Sequence, residues 1–116
     1  MSVEREIGDY LNDIAESVED IRSFTEGLTF NDFVADKKTT NAVIRSLEII
    51  GEAAKKIPSD VRALHHEIPW QEIGGMRDKL IHEYSGVDLE IVWETVQNSL
   101  QDLYNAICDI RSALGD

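Results

Sequence analysis

Four side chains that can bind phosphate or transfer protons lie within the segment GMRDKLIHEYSGVD, residues 75–88: Arg77, Asp78, His82 and Tyr84. On a helix, Asp78 and His82 share a face, so the carboxylate can accept a hydrogen bond from one imidazole nitrogen and fix its tautomer. Arg77 and His82 are separated by about 140° around a straight helix. They can converge on one substrate only if the helix unwinds near His82 or a second subunit completes the site.

An arginine together with a histidine can cleave RNA without a metal ion. Because an unperturbed imidazole titrates near neutral pH, His82 can take a proton from the 2′-OH or give one to the leaving 5′-oxygen. Arg77 can hold the phosphate through two hydrogen bonds and stabilise the negative charge that develops on it. Motifs this short also occur by chance. The residue types alone favour a simpler interpretation, in which Arg77 pairs with a helix end and His82 is a surface imidazole.

The other candidate ligands have less suitable spacing. The His-His-Glu run at 65–67 places neighbouring side chains about 100° apart on a helix, whereas zinc pairs favour positions i and i+4. The Gly74–Gly75 pair is not a phosphate loop, since no strand precedes it and no GK[ST] follows. We expect it to let a helix start close to a neighbour. Lys55 and Lys56 are expected to be solvated at a helix end, where they oppose the negative end of the dipole.

Three long segments must position these residues. Apolar side chains recur at steps of three and four over residues 3–26 and 39–56, and along a final helix that Asp88 caps and whose apolar stripe runs from Val92 to Leu114. This spacing predicts amphipathic helices. Gly27 is the expected C-cap of the first helix, and Pro58 stops the second.

Short helices are predicted between the long ones. They are a helix from 29 to 33 capped by Thr29, a helix from 59 to 64 capped by Ser59, a helical turn with Pro69 at its first position, and a helix from 76 to 81. No alternation of period two is long enough to predict a strand. The expected fold is therefore all-α, a single domain over residues 1–116 built as a bundle of long antiparallel helices with short helices between them.

Composition excludes several classes of protein. The chain has 116 residues, and its 11 Lys and Arg against 23 Asp and Glu give a formal net charge of -12. This charge argues against sequence-independent binding to DNA or to anionic membranes. The one cysteine, Cys108, excludes an intrachain disulfide and a four-cysteine zinc module. The N-terminal residues do not resemble a signal peptide and no stretch resembles a membrane span, so a cytoplasmic protein is expected.

The charge is unevenly distributed along the chain. Eight of the 11 basic residues but only six acidic residues lie between positions 37 and 79, so this segment is +2 while the remainder is -14. The motif lies at the edge of this basic segment. The net negative charge of the chain therefore does not exclude a small positively charged groove that binds RNA. We expect local contact with RNA that weakens as the salt concentration rises.

The segment RDKLIHEY matches the R-x4-H-x-Y motif of HEPN-domain ribonucleases, and GMRDKLIHEYSGVD resembles the HepT branch of toxins. The acidic first helix, NAVIRSLEIIGEAAKKIP, PWQEIGG and VWETVQNSL extend the resemblance over most of the chain. The resemblance implies a dimeric all-α bundle with metal-independent endoribonuclease activity on single-stranded RNA. It also implies a role as the toxin of a type II toxin–antitoxin system, whose partner is a minimal nucleotidyltransferase (MNT) antitoxin.

The resemblance also implies roles for individual residues, with no cofactor and no metal. Arg77 and His82 correspond to the catalytic pair, and Tyr84 to the tyrosine that the antitoxin modifies with AMP. Asp78 stands where the family most often has asparagine; an acid there can orient His82, but it places a negative charge near the phosphate. A structural role for Tyr84, packing on Leu80, is compatible with either function.

Two questions stay open on sequence alone. The wide apolar stripes of the first and last helices fit a homodimer, and a higher assembly with the antitoxin, but a monomer with an internal core fits the pattern equally well. A different class of function is also possible, in which the chain is a non-catalytic helical subunit that docks a nucleotidyltransferase or binds its substrate.

Overall fold

The computed structural model describes residues 6–82 and 88–115, and this part of the chain forms seven helices and no strand. In chain order they are α1 (Ile7–Thr25), α2 (Phe30–Ala35), α3 (Lys37–Lys56), α4 (Ser59–Leu64), α5 (Trp70–His82), α6 (Leu89–Asn98) and α7 (Leu100–Ala113). The predicted all-α fold is confirmed. The assignment of the whole of 1–116 to one domain stays a prediction.

Side-chain caps explain where several helices begin. Thr29 and Asp32 form a reciprocal capping box, in which each side chain accepts a hydrogen bond from the other's backbone N–H, at 3.1 and 3.0 Å. Asp36 and Asp88 each accept hydrogen bonds from the backbone N–H groups two and three residues later, which starts α3 and α6. The caps at Thr29 and Asp88 are as predicted. Because Asp36 supplies its cap, α3 begins at Lys37 rather than at position 39.

A tight turn ends α1. The Leu28 N–H donates to the Thr25 carbonyl oxygen at 3.1 Å, and Gly27 between them has a φ of +76°. A positive φ at the third position of such a turn is accessible to glycine without steric cost. The C-cap itself is Glu26, one residue before the predicted Gly27. Residues 3–5, the first part of the predicted helix, lie outside the described residues.

The long helices pack in antiparallel pairs around one apolar core. Tyr10 of α1 lies in a groove with Ile49 and Lys56 of α3, so the start of α1 meets the end of α3. On the other side of α1, the Tyr104 hydroxyl of α7 donates to Glu19 at 3.0 Å. The fully buried large side chains come from α1, α2, α3 and α7 and from the turn after α3: Leu11, Ile14, Val18, Ile21, Phe33, Val43, Leu47, Ile50, Ile57, Ile107 and Ile110. The predicted stripes thus supply most of the core, although Ile7, Tyr10 and Val96 are only partly buried against it and Leu114 is half exposed.

Two predicted helix starts are wrong by one residue. Pro58 occupies the N-cap of α4, so Ser59 is the first helical residue and its side chain caps nothing. Pro69 lies just before α5 rather than at its first position, and its carbonyl oxygen accepts the Ile73 N–H at 3.0 Å.

Two predicted boundaries between helices are also wrong. The turn opened by Pro69 and the helix predicted at 76–81 are one continuous helix, α5, with Gly74 and Gly75 inside it. The single final helix is instead interrupted at Ser99, which separates α6 from α7. The interruption lets α6 pack Trp93 against Phe33 of α2, with ring centroids 5.1 Å apart, while α7 packs along α1.

No helix within the described ranges is both long enough and apolar enough to cross a membrane.

Candidate functional site

Helix α5 carries three of the four predicted site residues. Arg77, Asp78 and His82 all lie on it, and its backbone is helical as far as His82. The side chains of Arg77 and His82, and the whole of Tyr84, lie outside what the structure describes. The side-chain geometry of the predicted catalytic pair and the modification site therefore stays a prediction, and Asp78 is the member of the set whose contacts are defined.

Asp78 is paired with a lysine from another helix. The Lys55 Nζ lies 2.8 Å from one carboxylate oxygen of Asp78 and 2.7 Å from the other. The two side chains are 45% and 43% exposed, so the pair is open to solvent and to a ligand. Lys55 lies at the end of α3, 23 residues earlier in the chain, and the ion pair therefore ties the motif helix to the central helix of the core. Lys55 is exposed at the end of α3, as predicted, and it also pairs with a residue of another helix.

A glycine in α5 makes room for this lysine. A Cβ atom added to Gly74 would lie 3.0 Å from the Lys55 Cγ and 3.3 Å from its Cε. The aliphatic part of Lys55 thus runs across the surface of α5 at Gly74, and its ammonium group reaches Asp78 one turn further along. The glycine pair does allow a close approach, as predicted, but in the middle of a helix. At Gly75 a Cβ would meet no atom within 4 Å among those that the structure describes.

The start of α5 is fixed by burial and by one side-chain hydrogen bond. Trp70 and Ile73 are buried in the core. The Trp70 indole N–H donates to the His65 carbonyl oxygen at 3.0 Å. Burial of Trp70 and Ile73 therefore packs the start of α5 into the core, and the exposed Lys55–Asp78 pair is a further link between α5 and α3.

Two members of the His-His-Glu run, His65 and Glu67, lie close to each other. The His65 Nδ1 lies 3.6 Å from a carboxylate oxygen of Glu67, and His66 is exposed. Among the side chains that the structure describes, which do not include that of His82, no group of three or more His, Cys, Asp or Glu is placed to hold a metal ion.

The chain is similar in sequence to a known protein family. A family model described as ribonuclease HepT-like matches residues 14–110, which include the end of α3 and all of α5. A Thermococcus cleftensis protein named "Probable ribonuclease HepT" is 58% identical over 95 residues, which are 82% of this chain and 86% of that protein. A Methanocaldococcus jannaschii protein named "Putative RNase" is 43% identical over 112 residues, 97% of this chain and 90% of its own.

A third relative, from Caldanaerobacter subterraneus, carries the same "Putative RNase" name and is 46% identical over 101 residues, 87% of this chain and 90% of its own. No solved structure matches the chain.

Proposed function

This chain belongs to the ribonuclease HepT-like family, and on that basis we propose that it is a metal-independent endoribonuclease that cleaves single-stranded RNA. We propose further that it is the toxin of a type II toxin–antitoxin system, neutralised by a nucleotidyltransferase antitoxin. The observation that carries the proposal is the family match over residues 14–110, because this span contains the whole motif from Arg77 to Tyr84.

In the proposed reaction, the ribose 2′-oxygen attacks the adjacent phosphorus and the bond to the 5′-oxygen breaks. The products are a 2′,3′-cyclic phosphate and a free 5′-hydroxyl. His82 takes the proton from the 2′-OH or gives a proton to the leaving oxygen. Arg77 binds the phosphate and stabilises the charge that develops on it in the transition state. Asp78 accepts a hydrogen bond from the imidazole and orients His82.

A second copy of the chain is proposed to complete the site. Arg77 and His82 lie about 140° apart around a straight helix, and α5 stays helical from Trp70 to His82. The helix therefore does not unwind before His82. This supports the other way to bring both groups to one phosphate, in which a homodimer places two motifs on a shared groove.

The proposal is tested by RNA cleavage in the presence of EDTA. General acid–base catalysis contributes about 100-fold or more to rate, and loss of one group that stabilises transition-state charge costs about as much, so we expect His82→Ala and Arg77→Ala each to lower the cleavage rate at least that far. His66→Ala and Arg45→Ala are the matched controls, since both residues are exposed and lie outside α5. Circular dichroism melts of all four variants show whether the fold is retained.

Equal cleavage by the parent and by folded His82→Ala and Arg77→Ala variants would contradict the proposal. The activity would then belong to a contaminant, and the non-catalytic subunit that docks a nucleotidyltransferase would be the better explanation of the chain.

Neutralisation is proposed to occur at Tyr84. The phenolic oxygen attacks the α-phosphorus of ATP, a new O–P bond forms, pyrophosphate leaves, and the phenolic proton is released. The adenylate adds negative charge and bulk two residues from His82. Both changes would keep RNA out of the groove.

Mass spectrometry after incubation with the antitoxin and ATP tests this step. We expect one AMP on the peptide that contains Tyr84, loss of cleavage, and no modification of Tyr84→Phe. Tyr104→Phe is the control tyrosine variant. The Tyr104 hydroxyl hydrogen-bonds Glu19, which raises the pKa of Tyr104, and Arg22 lies 5.0 Å from the centre of its ring. A fully inhibited but unmodified complex would instead indicate steric neutralisation.

A further inference from the structure

Among the residues that the structure describes, Lys55 places a positive charge from another helix, α3, against α5, which carries Arg77 and His82. Its ammonium nitrogen lies 2.7 and 2.8 Å from the two carboxylate oxygens of Asp78. We propose that Lys55 is a positioning residue for RNA, which balances the charge of Asp78 so that the scissile phosphate can approach Arg77. This inference rests on the proposed ribonuclease function and adds a residue outside the motif to it.

The structure holds Lys55 in this place along its whole side chain. Its aliphatic carbons lie against Gly74, where a Cβ would come within 3.0 Å of Lys55 Cγ. Its ammonium nitrogen lies within hydrogen-bond distance of both carboxylate oxygens of Asp78, which gives charge-assisted hydrogen bonds. Since α3 forms much of the core, the ammonium group is positioned from the rigid centre of the fold.

The negative charge of Asp78 affects RNA binding because Asp78 is next to Arg77, the residue proposed to bind the phosphate. Asp78 follows Arg77 directly in α5, so their Cα atoms are about 3.8 Å apart although the two positions are about 100° apart around the helix, and the charge of Asp78 acts at short range on a phosphate bound by Arg77. The Lys55 and Asp78 side chains are 45% and 43% exposed, and the phosphate therefore meets the charges of this pair at the protein surface. With Lys55 in place the pair is neutral; without it, the local charge falls by one unit.

The size of the effect follows from Coulomb's law. One unit charge at about 7 Å from a phosphate, at an effective dielectric constant of about 40 to 80, changes a binding constant about three- to sevenfold. The charge acts on bound substrate and transition state alike, so the change is expected in KM and in the Kd for RNA, with kcat nearly unchanged. An exposed ion pair contributes little to folding, so the Tm of a Lys55 variant should fall by less than about 5 °C.

The experiment compares four proteins that differ in charge at this pair. Lys55→Met keeps an unbranched side chain over Gly74 but removes the charge. Asp78→Asn keeps an oxygen that accepts a hydrogen bond and also removes a charge. We expect KM to be lowest in Asp78→Asn, intermediate in the parent and in the double variant, and about three- to sevenfold above the parent in Lys55→Met.

Two further variants test whether the effect on KM depends on a positive charge at position 55 or on the net charge of the protein. Lys56→Met removes the same charge from the next residue, which lies in the groove with Tyr10 and Asp13. It should leave KM unchanged. Lys55→Arg keeps the charge and should restore KM to within about twofold of the parent. The same series is measured for binding to a fluorescent single-stranded RNA in a His82→Ala background, where the RNA stays intact.

The results distinguish failure of the inference from failure of the proposed function. If the parent cleaves RNA through His82 and Lys55→Met has the KM and Kd of Lys56→Met, the role of Lys55 is wrong while the ribonuclease proposal stands. If the double variant is as impaired as Lys55→Met, the lysine contacts RNA directly and charge balance is again wrong. If the parent neither cleaves nor binds RNA, both proposals fail.

Discussion

The two adjacent glycines of α5 offer a paired test of how the motif helix is packed. Gly74 and Gly75 are both inside the helix, and alanine is favoured over glycine there by about 1 kcal/mol. Their surroundings differ. A Cβ at Gly75 meets no described atom within 4 Å, whereas at Gly74 it lies 3.0 Å from the Lys55 Cγ and 3.3 Å from its Cε.

The expected effects follow from these distances. Gly75→Ala should gain the full preference of about 1 kcal/mol, which raises the Tm by about 3 to 5 °C. Gly74→Ala requires the Lys55 side chain to move by a few tenths of an ångström. An off-rotamer side chain costs about 0.5 to 1.5 kcal/mol, so this substitution should leave the free energy of unfolding within about 0.5 kcal/mol of the parent.

Urea unfolding followed by circular dichroism measures both variants. A third measurement, Gly74→Ala in a Lys55→Ala background, should recover the gain seen for Gly75→Ala because the clashing carbons are gone. If Gly74→Ala alone stabilises the protein as much as Gly75→Ala does, the packing of Lys55 on Gly74 is not a constraint. The explanation of the close contact between α3 and α5 would then be refuted.

Further predictions concern the core and one helix cap. Leu47→Ala should lower the free energy of unfolding by about 2 to 5 kcal/mol because Leu47 is fully buried, and Leu64→Ala, at a side chain that is 77% exposed, should lower it by less than about 1 kcal/mol; urea unfolding measures both. Hydrogen bonds from the Thr39 hydroxyl and backbone N–H hold the pKa of Asp36 below its usual value of 3.8, so its stabilising effect is present above that pH and is lost as the pH falls through the lower folded value. Thermal melts should therefore show a gap between parent and Asp36→Ala that narrows in acid, and a gap that widens would contradict the assigned cause.

Much of the fold could be predicted from local pattern. The apolar stripes of α1 and α3 follow the helical period and become the core, and the caps at Thr29 and Asp88 act through bonds to residues two and three positions away. Both kinds of signal are contained in a few consecutive residues. The predicted start of α4 is wrong by one residue because local pattern does not decide between Pro58 and Ser59. Both residue types are common where a helix begins.

The errors arose where contacts between helices override local pattern. Gly74 and Gly75 resemble a helix break in sequence, but α5 continues through them because the missing side chain at Gly74 lets Lys55 lie against the helix. The apolar period runs through Ser99 without a change, so the interruption there has no signal in the stripe. Trp93 packing on α2 accounts for it only once the tertiary structure is known.

In the candidate site, too, local sequence predicts the motif but not the contact made by another helix. The motif from Arg77 to Tyr84 is recognised from its own residues, and the family match over residues 14–110 covers it. Lys55 was missed because it precedes Asp78 by 23 residues and belongs to another helix. The two positively charged residues at the end of α3 look alike in sequence, and only their contacts distinguish Lys55 from Lys56.

The most direct test of the central claim is the ratio of two RNA cleavage rates, both measured in EDTA on the same single-stranded RNA. The rates are those of His82→Ala and of the matched control His66→Ala, with both proteins shown to be folded. The proposed mechanism predicts a ratio of about 1 to 100 or lower, because His82 transfers a proton in the reaction and His66 does not. A ratio near one, with both variants as active as the parent, would contradict the claim that this chain cleaves RNA through its motif.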